Sequence, residues 1–268
     1  MGKGLLVQGI GTTNKGSMIF LFVFFLGAIL GSFLNVCIYR LPKRESILSP
    51  PSHCLHCGEP IRFYDNIPIV SYLLLRGKCR HCKEHISFRY PEVEGLAGLL
   101  SLALSIKYGL TVQYLLFLLF SAALITITFI DLDYQIIPDI ISIPGIFFGI
   151  GANLFYPIMI SWRESLFGIL IGGGFLLLVA IGYKWLTGRE GMGGGDIKLL
   201  AMVGAWLGWK AIPFILFSGS LIGVLIGGGS VLINKRGLRS KIPFGPFLSI
   251  SSIIYIFFGP ELINWYLK

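Results

Sequence analysis

Charge is what this chain has least of. Only 13% of its 268 residues are Asp, Glu, Lys or Arg, against roughly 25% in an average soluble domain, whereas 54% are hydrophobic. That scarcity excludes an ordinary soluble globule. Acids are the rarer sign, with 13 Asp and Glu against 22 Lys and Arg, and histidine (four) and cysteine (five) are sparse as well. Nor does the chain contain a G-x-G-x-x-G run, so no glycine-rich cofactor loop of that kind marks a binding site.

What the chain does have is long apolar blocks. The first, MIFLFVFFLGAILGSFLNVCIY at 18–39, is long enough for a bilayer span of about 20 residues. It exceeds a signal-peptide core and lacks both a basic flank and an A-x-A-like cleavage site, so it reads as a retained span. Further blocks lie at 93–106, 112–130, 140–156, 166–184, 197–209, 211–233 and 247–266. The expected fold is therefore an all-α integral membrane protein of about eight transmembrane helices, with a small polar insert between helices 1 and 2. Two blocks, 93–106 and 197–209, are short for a full crossing. The expected division is a leader or non-native extension at 1–17, a first span at 18–39, an insert at 40–91, and a membrane-embedded unit at 92–268. No repeat of 20 to 50 residues organises the chain.

Lys and Arg positions orient it. With the N-terminus outside, the inner side receives the basic residues of the insert, those around 184–198, and Lys235, Arg236, Arg239 and Lys241. Short basic loops are retained in the cytoplasm, so the insert is expected in the cytosol. The net charge of +9 then implies contact with anionic lipid. Nucleic acid is not implied, because neither a basic helix nor an aromatic stacking module accompanies the charge.

The insert carries PSHCLHCGEPIRF and LLRGKCRHCKEHI, which place Cys54, Cys57, Cys79 and Cys82 in two C-x2-C pairs separated by 21 residues. This spacing suits four thiolates around a tetrahedral Zn²⁺. Two disulfides are the competing reading, disfavoured in a reducing cytosol. Four thiolates leave no open coordination position, so the zinc reads as structural. His53, His56, His81 and His85 lie in or beside the pairs and read as solvated loop residues or as one substitute ligand. Cys37, inside the first span, reads as a small buried hydrophobe.

Only five aspartates occur: Asp65, Asp131, Asp133, Asp139 and Asp196. In TITFIDLDYQIIPDIISIP a helix is expected to end at Asp131, with Pro138 and Asp139 opening the next one, where Asp suits a structural cap. An ionisable group within a span is costly and points to function, which singles out Asp131. The stretch GREGMGGGDIKLL sets Asp196 at the start of another apolar helix, where the positive end of the helix dipole favours a carboxylate. Both fall on the same side of the membrane. Two carboxylates sharing a water are the device of aspartic proteases. A flexible loop with a capping Asp is the plainer alternative for Asp196, and Asp133 points away from Asp131 and may be read as assisting or as facing solvent.

Taken together, these blocks resemble the type IV prepilin peptidases, the GxGD family of leader peptidases and N-methyltransferases. GSFLNVCIYRLP, the two C-x2-C pairs, NIPIVSYLLLRGKC, RYPEVEGL, IDLDYQIIPD, GMGGGDIKLLAMVGAWLGW and IPFGPFLS carry the resemblance in family order. It implies an intramembrane aspartyl protease using Asp131 and Asp196, with Gly193, Gly194 and Gly195 as the active-site loop. It selects Asp131 over Asp133 because a proline follows seven residues later, at Pro138. The implied substrates are prepilins or pseudopilins of pilus, secretion or competence systems, cut after a glycine on the cytoplasmic side. The new N-terminal residue is then methylated with S-adenosylmethionine, in a region that includes the insert and is expected to involve Glu92, Glu94 and Gly95. A multi-span transporter or channel, using its acids to bind a cation, is the rival reading. Acids gathered at helix ends on one side argue against it.

Overall fold

The computed structural model describes residues 14–156, 160–189, 193–234 and 243–266, so most of the leader segment, Gly191, Met192 and the basic residues Lys235, Arg236, Arg239 and Lys241 lie outside the described residues. Among those described there are nine α-helices and no strand. In chain order they are α1 (Asn14–Arg40), the short α2 (Val70–Leu74), α3 (Arg89–Tyr108), α4 (Val112–Tyr134), α5 (Asp139–Phe155), α6 (Trp162–Thr187), α7 (Gly194–Leu207), α8 (Ala211–Asn234) and α9 (Gly245–Tyr266).

The eight long helices follow the eight apolar blocks. By length and composition, among the described residues, the segments Met18–Lys43, Val112–Tyr134 and Trp162–Thr187 are long and apolar enough to cross a membrane, and three shorter apolar helices accompany them. Large apolar side chains such as Phe147, Leu170, Leu178 and Phe217 point outward, each at least 68% exposed. A surface of that kind suits acyl chains rather than water.

Helix contacts are built on small residues, which let backbones approach where no hydrophobic drive separates protein from lipid. Between α1 and α3, Gly27 and Gly31 face Ala97, Gly98 and Glu94 so closely that a Cβ on Gly31 would lie 2.7 Å from the Glu94 Cα. The Ser101 hydroxyl closes the same seam by donating to the Val23 carbonyl at 3.0 Å. Between α6 and α7, Gly168 and Gly204 meet backbone to backbone, and a Cβ on Gly168 would lie 2.1 Å from the Gly204 oxygen.

The short block at 197–209 now has a physical account. Every residue of α7 from Leu199 to Leu207 is buried, enclosed chiefly by α5 and α6. Trp206 stacks on Phe120 and donates its indole N–H to the Gly145 carbonyl at 2.9 Å. A helix apolar all round is a core helix. Its length answers to protein neighbours, not to bilayer thickness.

Two expectations about helix ends are corrected. Helix α4 continues past Asp131 to Tyr134, because the left-handed Gln135 (φ 54°) closes it with its N–H on the Asp131 carbonyl. Asp139 is not a cap: Pro138 occupies that position, and Asp139 stands in the first turn of α5 without capping it.

The expectation that no repeat of 20 to 50 residues is present is corrected within the insert, where a short pattern recurs at an offset of 25 residues. The pattern C-x-H-C-x-E-x-I-x-F occurs at 54–63 and again at 79–88. Both copies fold alike. The Cys54 amide donates to the Glu59 carbonyl at 2.9 Å and the Cys79 amide to the Glu84 carbonyl at 2.8 Å, while Ile61 and Ile86 donate to Ser52 and Gly77 at 2.8 Å each. Gly58 and Lys83 hold the equivalent left-handed position.

Candidate functional site

Asp131 lies in the last turns of α4 and is only 5% exposed. Its Oδ2 accepts the Gly245 N–H at 3.0 Å. Gly245 opens α9 within the IPFGPFLS block, and a Cβ there would lie 2.6 Å from that oxygen. Glycine at 245 is thus what allows the helix start to reach the carboxylate.

Asp196 occupies the first turn of α7, whose N-terminal boundary is the extended Gly193. Gly194 and Gly195 are the first two residues of the same turn. Gly195 packs on Ile137, where a Cβ would meet the Ile137 Cβ at 2.9 Å, and the Ile137 Cδ1 would lie 3.3 Å from a Cβ on Gly245. Ile137 therefore wedges between the glycine preceding Asp196 and the glycine bound to Asp131, and joins the two aspartate-bearing blocks.

The other two aspartates near these blocks are held by cations. Asp133 pairs with Arg89, whose guanidinium also donates to the Phe129 carbonyl at 2.9 Å and lies over the Phe129 ring. Asp139 receives Lys198 at 2.6 and 2.8 Å. Each partner ties a helix end at the site to its neighbour: Arg89 joins α3 to α4, and Lys198 joins α7 to α5. Gly245, Ile137 and Arg89 were not legible as site residues, since none carries a reactive group. The glycine-proline step opening α9 was the only local hint.

In the insert, Cys54, Cys57, Cys79 and Cys82 bring their four Sγ atoms within 4.8 Å of one another. The Cys54 and Cys82 sulfurs are 3.8 Å apart, and a tetrahedron of bonds of about 2.3 Å has edges of about 3.8 Å. The donor set fits a Zn²⁺, and no histidine belongs to it. Backbone N–H groups of Cys57 and His56 push the Cys54 thiol down to about 6. Cys82, despite its backbone bond at Glu84, is pushed up to about 12 by desolvation and by the other three sulfurs. The Cys54 thiolate forms readily, whereas the Cys82 thiolate requires a cation. Nearby, Arg80 clamps Asp65 with contacts of 2.6 to 3.1 Å, which holds the Asp65 carboxyl below the usual carboxylate range.

Between the insert and the adjoining ends of α1 and α3 lies a cleft of about 1030 Å³. Its wall includes Ser32, Asn35, Arg40, Ile69 and Glu94. Glu94 is 7% exposed. Glu92 points to the exterior, Gly95 is half-buried, and neither lines this cleft.

Comparison with known proteins matches two family models to the chain, the Bacterial Peptidase A24 N-terminal domain over residues 25–108 and the Type IV leader peptidase family over residues 118–228. Among curated proteins, the prepilin leader peptidase/N-methyltransferase of Aeromonas hydrophila is 39% identical, covering 92% of this chain and 93% of that protein. The proteins of the same name from Pseudomonas putida and Neisseria gonorrhoeae are 37% and 38% identical, over 88% and 90% of this chain and 90% and 92% of their own. No solved structure matches significantly.

Proposed function

Because the chain belongs to the type IV leader peptidase family, we propose that it cleaves the leader from prepilins or pseudopilins and then methylates the new N-terminus. Asp131 and Asp196 are the proposed catalytic pair, with Gly193, Gly194 and Gly195 as the loop that admits the substrate strand. One carboxylate takes a proton from water, the water oxygen attacks the scissile carbonyl, and the other, protonated, donates to the carbonyl oxygen. Collapse breaks the C–N bond as the first carboxylate returns its proton to the nitrogen, freeing the amine, and a hydroxyl proton of the diol goes back to the second carboxylate. The titration belongs to the pair, so no role is assigned to one member alone.

The observation that carries this reading is the wedge of Ile137 between Gly195 and Gly245, the latter bonded to Asp131. It links the segments that carry two aspartates 65 positions apart in the chain.

The proposed setting is the bacterial inner membrane, crossed eight times, with the insert and both aspartates on the cytoplasmic side and cleavage after a glycine. Residues 18–39, 40–91 and 92–268 are the proposed first span, insert and peptidase unit. Zn²⁺ held by Cys54, Cys57, Cys79 and Cys82 would tie the two knuckles together and, with its coordination filled, take no part in either reaction. S-adenosylmethionine is the proposed methyl donor. Methylation is assigned to the neighbourhood of Glu92, Glu94 and Gly95, of which Glu94 reaches the cleft. There the amine lone pair forms the N–C bond as the S–C bond breaks, with the electron pair staying on sulfur and one proton leaving the nitrogen.

The test is product mass from purified protein, a prepilin substrate in membrane and S-adenosylmethionine. Cleavage with a gain of one methyl group is expected from the wild type, and no cleavage from Asp196→Asn. Absence of cleavage by the wild type would overturn the reading and turn attention to cation transport.

A further inference from the structure

A carboxylate buried without a countercharge is costly, and Glu94 is one. Its Oε2 accepts the Ile69 N–H at 2.7 Å, and the Ser32 side chain stands beside the same carboxyl on the cleft wall. Among the described residues no Lys, Arg or His pairs with it. The two guanidiniums on the cleft wall are committed elsewhere. Arg40 donates to the carbonyls of Ser46 and Pro50 at 2.9 and 2.7 Å, and Arg80 is taken by Asp65.

The backbone that presents the Ile69 amide is itself unusual. Ile69 has φ 62° and ψ −50°, a conformation that is strained for a β-branched residue and persists only where surroundings enforce it. Two elements thus hold the carboxylate in place: Ser32 from α1 and the strained turn before α2. Both line the same cleft of about 1030 Å³.

From these observations we propose that Glu94 is the receptor for a primary ammonium group entering the cleft. The proposal rests on the methyl-transfer reading, in which two species carry that group: the amino-acid end of the methyl donor and the new N-terminus of the cleaved substrate. The shared chemistry is a compact cation with N–H donors, which a buried carboxylate binds by charge-assisted hydrogen bonds.

Glu94→Gln tests it in the full-length, metal-loaded protein. Glutamine keeps an oxygen for the Ile69 amide and removes only the charge. Metal content and Asp131-dependent cleavage monitor folding, and both should match wild type. Two constants are then measured: the calorimetric Kd for S-adenosylhomocysteine, which has the ammonium but no methyl to transfer, and the KM for a leaderless peptide with a free N-terminal phenylalanine. Weakening of one constant by about tenfold or more supports the proposal, and which constant moves identifies the source of the ammonium. Ser32→Ala, a smaller perturbation, should shift the same constant in the same direction. Both constants within about twofold of wild type would overturn the proposal, whatever happens to kcat, because charge recognition would then be absent. Wild-type protein that binds the homocysteine analogue without methylating the peptide would sink the methyl-transfer reading while leaving the calorimetric arm to decide on Glu94.

Discussion

The amide of Gly245 donates to Asp131 across 114 positions of chain, and no side chain could stand where it does. A methyl group at 245 would lie 2.6 Å from the carboxylate oxygen. Gly245→Ala should displace Asp131 or the start of α9, cost about 1–3 kcal/mol as an overpacked site, and reduce cleavage by about tenfold or more. Methylation of a leaderless peptide should survive. Equal loss of both reactions, with a lowered Tm, would assign Gly245 to general stability instead.

Asp131→Asn and Asp196→Asn should each lower cleavage by about a hundredfold to ten-thousandfold, the range for loss of a positioned acid or base, without altering membrane insertion. The mass of the processed substrate reads the first and membrane fractionation the second.

Asp133→Asn and Asp139→Asn should behave differently, because Arg89 and Lys198 already hold these carboxylates. Asp133 and Asp139 are 39% and 56% exposed at the side chain, so solvent screening limits each pair to about 0–1 kcal/mol. Cleavage should stay within about threefold of wild type. A loss as large as that of Asp131→Asn would reassign the catalytic pair.

Much of this was legible beforehand, and the division follows physical lines. Apolar blocks mark helices because lipid and a protein core both demand them, so eight long helices could be placed. The aspartates and cysteines stood out because few others compete for attention. Helix ends were harder: α4 outruns Asp131 because Gln135 adopts a left-handed cap, which pattern does not encode. The partners of Asp131 and Glu94 were illegible for a related reason, since both are backbone N–H groups, of Gly245 and Ile69, that every residue except proline possesses.

Removal of the metal should disorder both knuckles together, since each supplies half of the ligands and neither closes a site alone. Cys57→Ser and Cys82→Ser, at equivalent positions in the duplicated pattern, should therefore lower bound zinc from one per chain by similar amounts, as measured by atomic absorption. A protein that keeps full metal after either change would refute four-cysteine ligation.

Acid should loosen the insert through Asp65. Arg80 holds its carboxyl below the usual carboxylate range, so the pair stabilises the fold above the unfolded value of about 3.9. That contribution is lost as pH falls through the lower folded value. Asp65→Asn should remove this part of the acid dependence, visible as a flatter profile of insert unfolding between about pH 4 and 2.

Finally, the enclosure of α7 separates Asp196, the proposed catalytic residue, from the bilayer in one respect. Hydrophobic mismatch acts where lipid touches protein, tilting or compressing the outer helices by amounts that depend on acyl length. The segment Leu199 to Leu207, which follows Asp196, is buried throughout, so thickness reaches that carboxylate through the packing of neighbouring helices, chiefly α5 and α6. The depth of the aspartate is a property of the protein, and membranes of different thickness present the same helix at the same height relative to its neighbours.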